Sequence, residues 1–329
     1  MSRLYNEEIK EKFLSENYEN EQTRKTIRNV FYKSEPIENV LDKDLYNFNL
    51  DEIGNVIKNS NPLSASVARS TGRFLTQYIT WAAPYRKSNL NPVKGVTNEW
   101  YDQFSDKTKK IHFSEDELFN GVIEQLENAQ DQALIALIFE GIIGKGFSEL
   151  KPLHYNHINW NTNEITVPER DGEKVQVSDR VMRYVEQAYK QRTYSTFNEE
   201  TQNYNERELL QSDYIFKNIK SPRAKNGEVN GSVFYTRMNN IREAFDLEYL
   251  TPNSIRQSGM IKMSADLLKE KIEEGKEPKL EYEDFEKIGD KYKFSKVYNK
   301  GYSYYNTTLL REFVNPSTLK ELYNIDAEV

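Results

Sequence analysis

The chain contains no cysteine and only three histidines among 329 residues. The first absence excludes disulfides and thiolate metal centres, and it fits a reducing compartment. Long apolar runs are also missing. The best candidate, ALIALIF from Ala133, has the length of a core helix and not of a bilayer span. The first residues, MSRLYNEEIKEKF, lack the apolar centre of a secretion signal, so a cytoplasmic protein with no membrane partner is expected. No internal repeat and no low-complexity tract interrupts the sequence. What remains is a globular composition with 37% hydrophobic and 29% charged residues. Its length suits two domains better than one core.

The formal net charge is -7, which argues at first against a nucleic-acid partner. The distribution argues otherwise. Between Asn55 and Val96 no acid occurs, while Lys58, Arg69, Arg73, Arg86, Lys87 and Lys94 supply six positive charges. Residues 217–242 carry six basic residues against Glu228, and residues 287–311 carry six against Asp290. The acids gather elsewhere, in NYENEQ, EDEL, FNEETQNYNEREL and KEKIEEGKEPKLEYEDFE. Such segregation suits one basic face and an acidic back, because local field and not net charge attracts phosphate. Each run taken singly reads equally well as a solvated face.

The first part of the chain reads as helical. In NPLSASVARSTGRFLTQYITWAAPYRK, Val67, Phe74, Tyr78 and Trp81 recur at helical spacing, with Arg69, Arg73 and Thr80 along another face. A first domain is expected over 1–98 and a connection over 99–112, part of which docks through Trp100, Tyr101 and Phe104. A second domain is expected over 113–329. It opens on a capping box, Ser114 with Glu117, ahead of an apolar helix. EITVPERDGEKVQVS alternates around Asp171–Gly172 and predicts a hairpin. Further helices are predicted at DRVMRYVEQAYKQ, SVFYTRMNNIREAF and after Pro252, while the polar residues 193–207 read as a mobile insertion. The fold class is therefore mainly α with a small β-hairpin or sheet, in the α+β class.

Taken in order, GFSELKPLHYNHI, the hairpin, a helix and TPNSIRQSG resemble the tyrosine recombinase (phage integrase) family over nearly the whole chain. Within it the similarity is to integrase-like repressors of SPβ-type prophages. The resemblance implies a two-domain clamp around DNA. It also implies a chemistry in which a tyrosine attacks a backbone phosphate, two arginines stabilise the phosphorane, a hairpin lysine protonates the leaving oxygen and histidines assist.

Carried onto this chain, the first arginine slot holds Gly146, or Ile143 on a shifted alignment, with Lys145 beside it. Lys174 meets the hairpin lysine. Arg256 meets the second arginine, Asn253 replaces a histidine, and Asp290 in KIGD replaces another. Tyr305 is the first choice for the nucleophile slot and Tyr298 the next. A positioned arginine is worth roughly 10³–10⁵ in rate and a proton-transfer group about 10²–10⁴. The site is thus expected to be vestigial and the chain not to be an enzyme. An active but divergent integrase, using Lys145 or Arg223 and a covalent phosphotyrosine, is the alternative.

The expected function is a sequence-specific double-stranded DNA-binding transcriptional repressor that maintains prophage lysogeny. Expected DNA contacts are Arg69, Arg73, Arg86 and Lys87 in the first domain. In the second they are Lys217, Lys220, Arg223, Lys225 and Arg256 at the backbone, with Arg237, Asn239 and Asn240 toward base edges. Plainer readings stand beside these. Arg256 could tie helices through a buried carboxylate such as Glu149, Ser254 after Pro252 could be a helix start, and the 231–244 segment could be an ordinary amphipathic helix. His154 and His157 lack a third ligand, so no metal and no cofactor are expected. A monomer in the free state is expected, located at the bacterial nucleoid. The acidic segments 198–208 and 266–286 leave room for a regulatory protein partner.

Overall fold

Helix α1 (Glu7–Asn17) turns Phe13 and Leu14 into a core shared with Ile27 and Phe31 of α2 (Glu21–Leu41). The computed structural model describes residues 4–62, 65–87, 91–105, 110–198, 203–221 and 227–329. The chain divides into two units, residues 1–109 and 110–329. In the first, α3 (Leu50–Asn59) opens on a capping box in which the Asn49 side chain and Glu52 each accept from the other's amide.

α4 (Ala65–Trp81) is the helix expected from periodicity, but its buried stripe is shifted. Ala68, Leu75, Tyr78 and Ile79 are buried, Phe74 and Trp81 lie at the margin, and Val67 is exposed. Small residues set this phase. A Cβ on Gly72 would lie 2.1 Å from the Tyr101 ring, so glycine admits α5 (Asn98–Asp102) onto the helix. Tyr101 is buried there with Trp100 and Phe104 packed beside it, and this part of the expected connection belongs to the first core. Within the same unit Lys10 Nζ lies 2.7 Å from Glu38, and Tyr78 donates to Asp44 at 3.0 Å, so the buried charges are partnered.

The second unit begins with the expected Ser114–Glu117 capping box, but α6 (Glu115–Phe119) ends after five residues. The chain turns and restarts as α7 (Ala129–Phe139), whose residues Ala133 to Phe139 are all buried, as in a central core helix. The expected hairpin is present. β1 (Ile158–Asn159), β2 (Glu164–Val167) and β3 (Glu173–Gln176) form an antiparallel sheet in that order. Asp171 and Gly172 sit in its turn with φ of 54° and 77°, the left-handed backbone that this residue pair supplies. α8 (Asp179–Lys190) follows.

β4 (Thr193–Asn198) and β5 (Asn203–Glu208) then pair antiparallel, so the stretch read as a mobile insertion is a hairpin. Its β-branched and aromatic residues, Thr193, Tyr194 and Thr196, favour a strand despite the polar surroundings. α9 (Gly231–Ala244) buries Phe234, Met238 and Ile241. α10 (Pro252–Glu273) packs closely on α7, where a Cβ on Gly259 would fall 1.9 Å from the Phe139 carbonyl oxygen. Over the other side of α10 lie α11 (Tyr282–Tyr292), the hairpin β6 (Lys296–Asn299) and β7 (Tyr302–Tyr305), α12 (Thr307–Arg311) and α13 (Pro316–Tyr323). Phe285, Ile288, Leu310 and Leu319 give them a second core with Met260, Ile261 and Leu268. The architecture is mainly helical with small antiparallel sheets, the α+β class expected.

Candidate nucleic-acid interface

The turn after α7 is built on left-handed backbone. Gly141, Gly144, Gly146 and Phe147 have φ of 90°, 63°, 63° and 63°. Gly144 has no room for a side chain, since a Cβ would meet Ser148 Oγ at 2.2 Å. Gly146 differs: nothing lies within 4 Å of its would-be Cβ, so backbone conformation and not space selects glycine there. Phe147 tolerates the strain because its ring is buried against Phe234 and Tyr235, at centroid distances of 5.1 and 4.8 Å. Gly146, one of the two positions expected at the first arginine slot, is exposed. Lys145 beside it is exposed, while the Ile143 amide donates to Glu149 Oε2 at 2.7 Å.

Glu149 is held by an arginine that the sequence did not single out. Arg170, just before the Asp171–Gly172 turn, donates Nε to Oε1 at 2.8 Å and Nη2 to Oε2 at 2.7 Å. The pair is buried, with 4% and 9% of the two side chains exposed. Arg170 also donates to the carbonyls of Gly141 at 2.5 Å and Lys291 at 3.1 Å.

Arg256 lies near this pair. Burial pulls its guanidinium down from the ordinary value, Glu149 opposes that, and Arg170 adds to the downward push. Its side chain makes no hydrogen bond or ion pair among the described residues, and its Nε is buried without a partner. The structure thus assigns Glu149 to Arg170 and not to Arg256. Around Arg256, Thr251 Oγ1 accepts from the Ser254 amide, and Ser254 Oγ accepts from the Thr251 amide and donates to Tyr249 O at 2.6 Å. Thr251 and Ser254 start the helix, which accounts for half of the TPNSIRQSG motif. Asn253 is exposed.

Lys174 projects from β3 with 63% of its side chain exposed and Glu164 3.7 Å away. Tyr305 is buried and its ring covers Gly289, where a Cβ would lie 2.6 Å from the ring. Its hydroxyl donates to Asp290. Burial and then that carboxylate push the phenol well above its ordinary value. Tyr298, Tyr302 and Tyr304 are the exposed tyrosines of the same hairpin.

The expected DNA contacts divide three ways. Arg73, Lys87, Lys220, Asn239 and Asn240 are exposed, with Lys220 paired to Glu208 at 2.9 Å. Arg69 is engaged by Asp102 through two bonds of 2.8 and 2.6 Å, and Arg86 is half-buried. Lys217 and Arg237 do not reach the surface. Lys217 is 2% exposed, bonds the Tyr189 carbonyl, and is pulled down from its ordinary value by burial. Arg237 is 4% exposed, donates to Gln130 at 2.9 Å, and stacks on Tyr194 near Asp131. Both are corrected to core positions: their elements turn these side chains inward with Phe216 and Phe234. Arg223 and Lys225 lie outside the described residues. His154 and His157 serve as caps of the short turn 155–157.

Residues 112–324 match the family described as MrpR, C-terminal catalytic domain, and residues 4–84 match MrpR, N-terminal core-binding domain. The SPbeta prophage-derived uncharacterized protein YopR of Bacillus subtilis (strain 168) is 30% identical over 283 residues. That match covers 82% of this chain and 84% of YopR. Among solved structures, XerA recombinase is similar with a TM-score of 0.43 at 14% identity, covering 96% of this chain and 97% of its own. A Tn1549 transposon integrase in complex with a circular intermediate DNA is similar with a TM-score of 0.46 at 12% identity, covering 95% and 96%.

Proposed function

The chain belongs to the MrpR family, of tyrosine recombinase type, and on that premise we propose that it is a sequence-specific double-stranded DNA-binding repressor of a prophage. In this reading the recombinase site has kept its hold on phosphate and lost strand cleavage. The observation that carries it is the contrast between Arg256, a half-buried guanidinium with no partner among the described residues, and Gly146, a left-handed position with no side chain. Gripping phosphate needs a cation and donors, which Arg256 supplies. Passing a phosphorane through needs a second guanidinium and a free nucleophile. On the expected alignment those slots hold Gly146 and, with Tyr305 taken as the nucleophile, a phenol bonded to a carboxylate.

On this reading each unit brings its own cations to the DNA backbone, Arg73 and Lys87 in the first and Lys145, Lys220 and Arg256 in the second. Asn239 and Asn240, exposed on α9, are the candidates for base edges, where asparagine suits adenine. Arg223 and Lys225 remain proposed backbone contacts. Contacts drawn from a single chain need no two-fold axis, so a monomer on an asymmetric operator satisfies this reading, and the acidic segments would be free to bind a protein partner. Genome-wide footprinting paired with a nicked suicide substrate tests the whole reading. Discrete promoter-proximal footprints without a denaturant-resistant adduct support it. A covalent adduct at one attachment-like site establishes the integrase instead.

A further inference from the structure

One carboxylate and two guanidiniums share the wall beside α10, and the way they are paired leaves a net charge in one place. Glu149 has its two oxygens filled by Arg170 Nε at 2.8 Å, Arg170 Nη2 at 2.7 Å and the Ile143 amide at 2.7 Å. Next to it Lys291 Nζ is matched by Glu140 at 2.7 Å. Both pairs are internally neutral, and the remaining positive charge rests on Arg256. Were Arg170 absent, the Glu149 carboxylate would be buried without a counter-charge. Arg256 is the guanidinium nearby, and a buried carboxylate strongly favours taking such a partner. An arginine consumed in that way has little left to offer an outside anion.

We propose that Arg170 is a positioning residue: by occupying both oxygens of Glu149 it keeps that carboxylate off Arg256, and so reserves Arg256 for a non-bridging oxygen of a DNA backbone phosphate. Four of the five Arg170 N–H donors are taken by Glu149, Gly141 O and Lys291 O, and the side chain is only 4% exposed, so it does not itself reach an outside ligand. Its role is therefore indirect. The four anchors also explain why arginine and not lysine stands here, because only the planar fork can span two carboxylate oxygens and two carbonyls together. The identity of the anion as DNA phosphate rests on the function proposed above, whereas the division of labour between Arg170 and Arg256 does not.

The test uses the full chain and three variants: Arg170→Leu, Arg256→Gln and the double Arg170→Leu/Glu149→Leu. DNA affinity is measured against salt, and thermal unfolding is recorded for each. One lost phosphate contact lowers the slope of log K against log salt by about 1, which between about 50 and 200 mM salt is roughly a four-fold smaller loss of affinity. Arg256→Gln is expected to show that drop. Arg170→Leu is expected to show the same drop although its side chain is buried, and the double variant is expected to recover the wild-type slope. Replacing both members of a buried pair by apolar residues is tolerated where breaking it is not, so the double variant remains informative if the single one fails to fold.

A folded Arg170→Leu with an unchanged slope, or a double variant that stays low, overturns the proposal. The first outcome makes Arg170 merely structural, and the second makes it a ligand. Inorganic phosphate, followed at the buried Arg256 Nε–H by ¹⁵N NMR, separates this inference from the DNA reading. Phosphate shifts that resonance in wild type and in the double variant but not in Arg170→Leu. That pattern without any duplex binding upholds the pairing argument and removes only the DNA. No shift in the wild-type protein overturns it.

Discussion

The Tyr305 hydroxyl donates to the Asp290 carboxylate, while Lys296 Nζ lies 4.3 Å from the centre of the same ring. The phenol is thereby kept protonated from one side and covered from the other. An attacking tyrosine needs the opposite, a hydroxyl that sheds its proton readily. Tyr305→Phe is expected to leave DNA affinity unchanged and to yield no loss of any adduct. Its cost should be no more than about 1 kcal/mol in urea unfolding, the net worth of one hydrogen bond. A variant that abolished a covalent product would reverse this reading.

Gly146 invites the obvious repair, Gly146→Arg. Space is available, but φ of 63° is a conformation that L side chains rarely adopt. The substitution is expected to cost about 1–2 kcal/mol in thermal or denaturant unfolding. It should not create strand cleavage on a suicide substrate, because Tyr305 remains tied. Gly144→Ala is expected to destabilise more than Gly146→Ala, since it adds a 2.2 Å clash with Ser148 Oγ to the same backbone strain.

Arg73 and Arg237 make a contrasting pair. Arg73 is exposed on α4, so Arg73→Ala should leave the unfolding midpoint unchanged and flatten the salt dependence of DNA binding by about one unit of slope. Arg237 is buried with Gln130 and Asp131, so Arg237→Ala strands a buried carboxylate. Its expected cost is about 3–5 kcal/mol, read by urea unfolding, with any loss of DNA binding tracking the unfolded fraction.

His112 gives the second unit an acid-sensitive element. Its Nε2 lies 3.2 Å from Gln257 Oε1 and its ring packs near Phe313. Burial holds the imidazole below its ordinary value, partly opposed by Gln257 and Glu321. The unfolded chain takes up a proton near pH ~6.5 while the folded one resists. The contribution is therefore present above that pH and is lost as pH falls through the lower folded value. His112→Asn should weaken the decline in urea stability between about pH 7.5 and 5. An equal decline in the variant would assign it to other groups.

Local chemistry was legible in the sequence. Asp171–Gly172 marked its turn because two left-handed residues in a row leave few choices, and Ser114 with Glu117 marked a helix start. Arg237 was also legible in principle. It stands three residues after Phe234 and four before Ile241, on the face that those two residues bury, so its spacing marks it as inward-facing despite its charge. The shifted stripe of α4 has a similar cause, since large residues were counted while Ala68 and Gly72 set the contact. Arg170 could not be read. Its partner Glu149 is 21 residues away and the other anchors, Gly141 and Lys291, are farther still. Only the packing of the turn on α11 brings them together.

The three left-handed residues Gly144, Gly146 and Phe147 constrain how this turn can change. Phe147 is wedged between two aromatic rings, Ser148 Oγ fills the space a side chain on Gly144 would need, and Gly146 has its back to solvent. A descendant that acquired an arginine codon at 146 would inherit a crooked loop that aims the new group poorly. Several simultaneous changes would be required before such a side chain was well aimed.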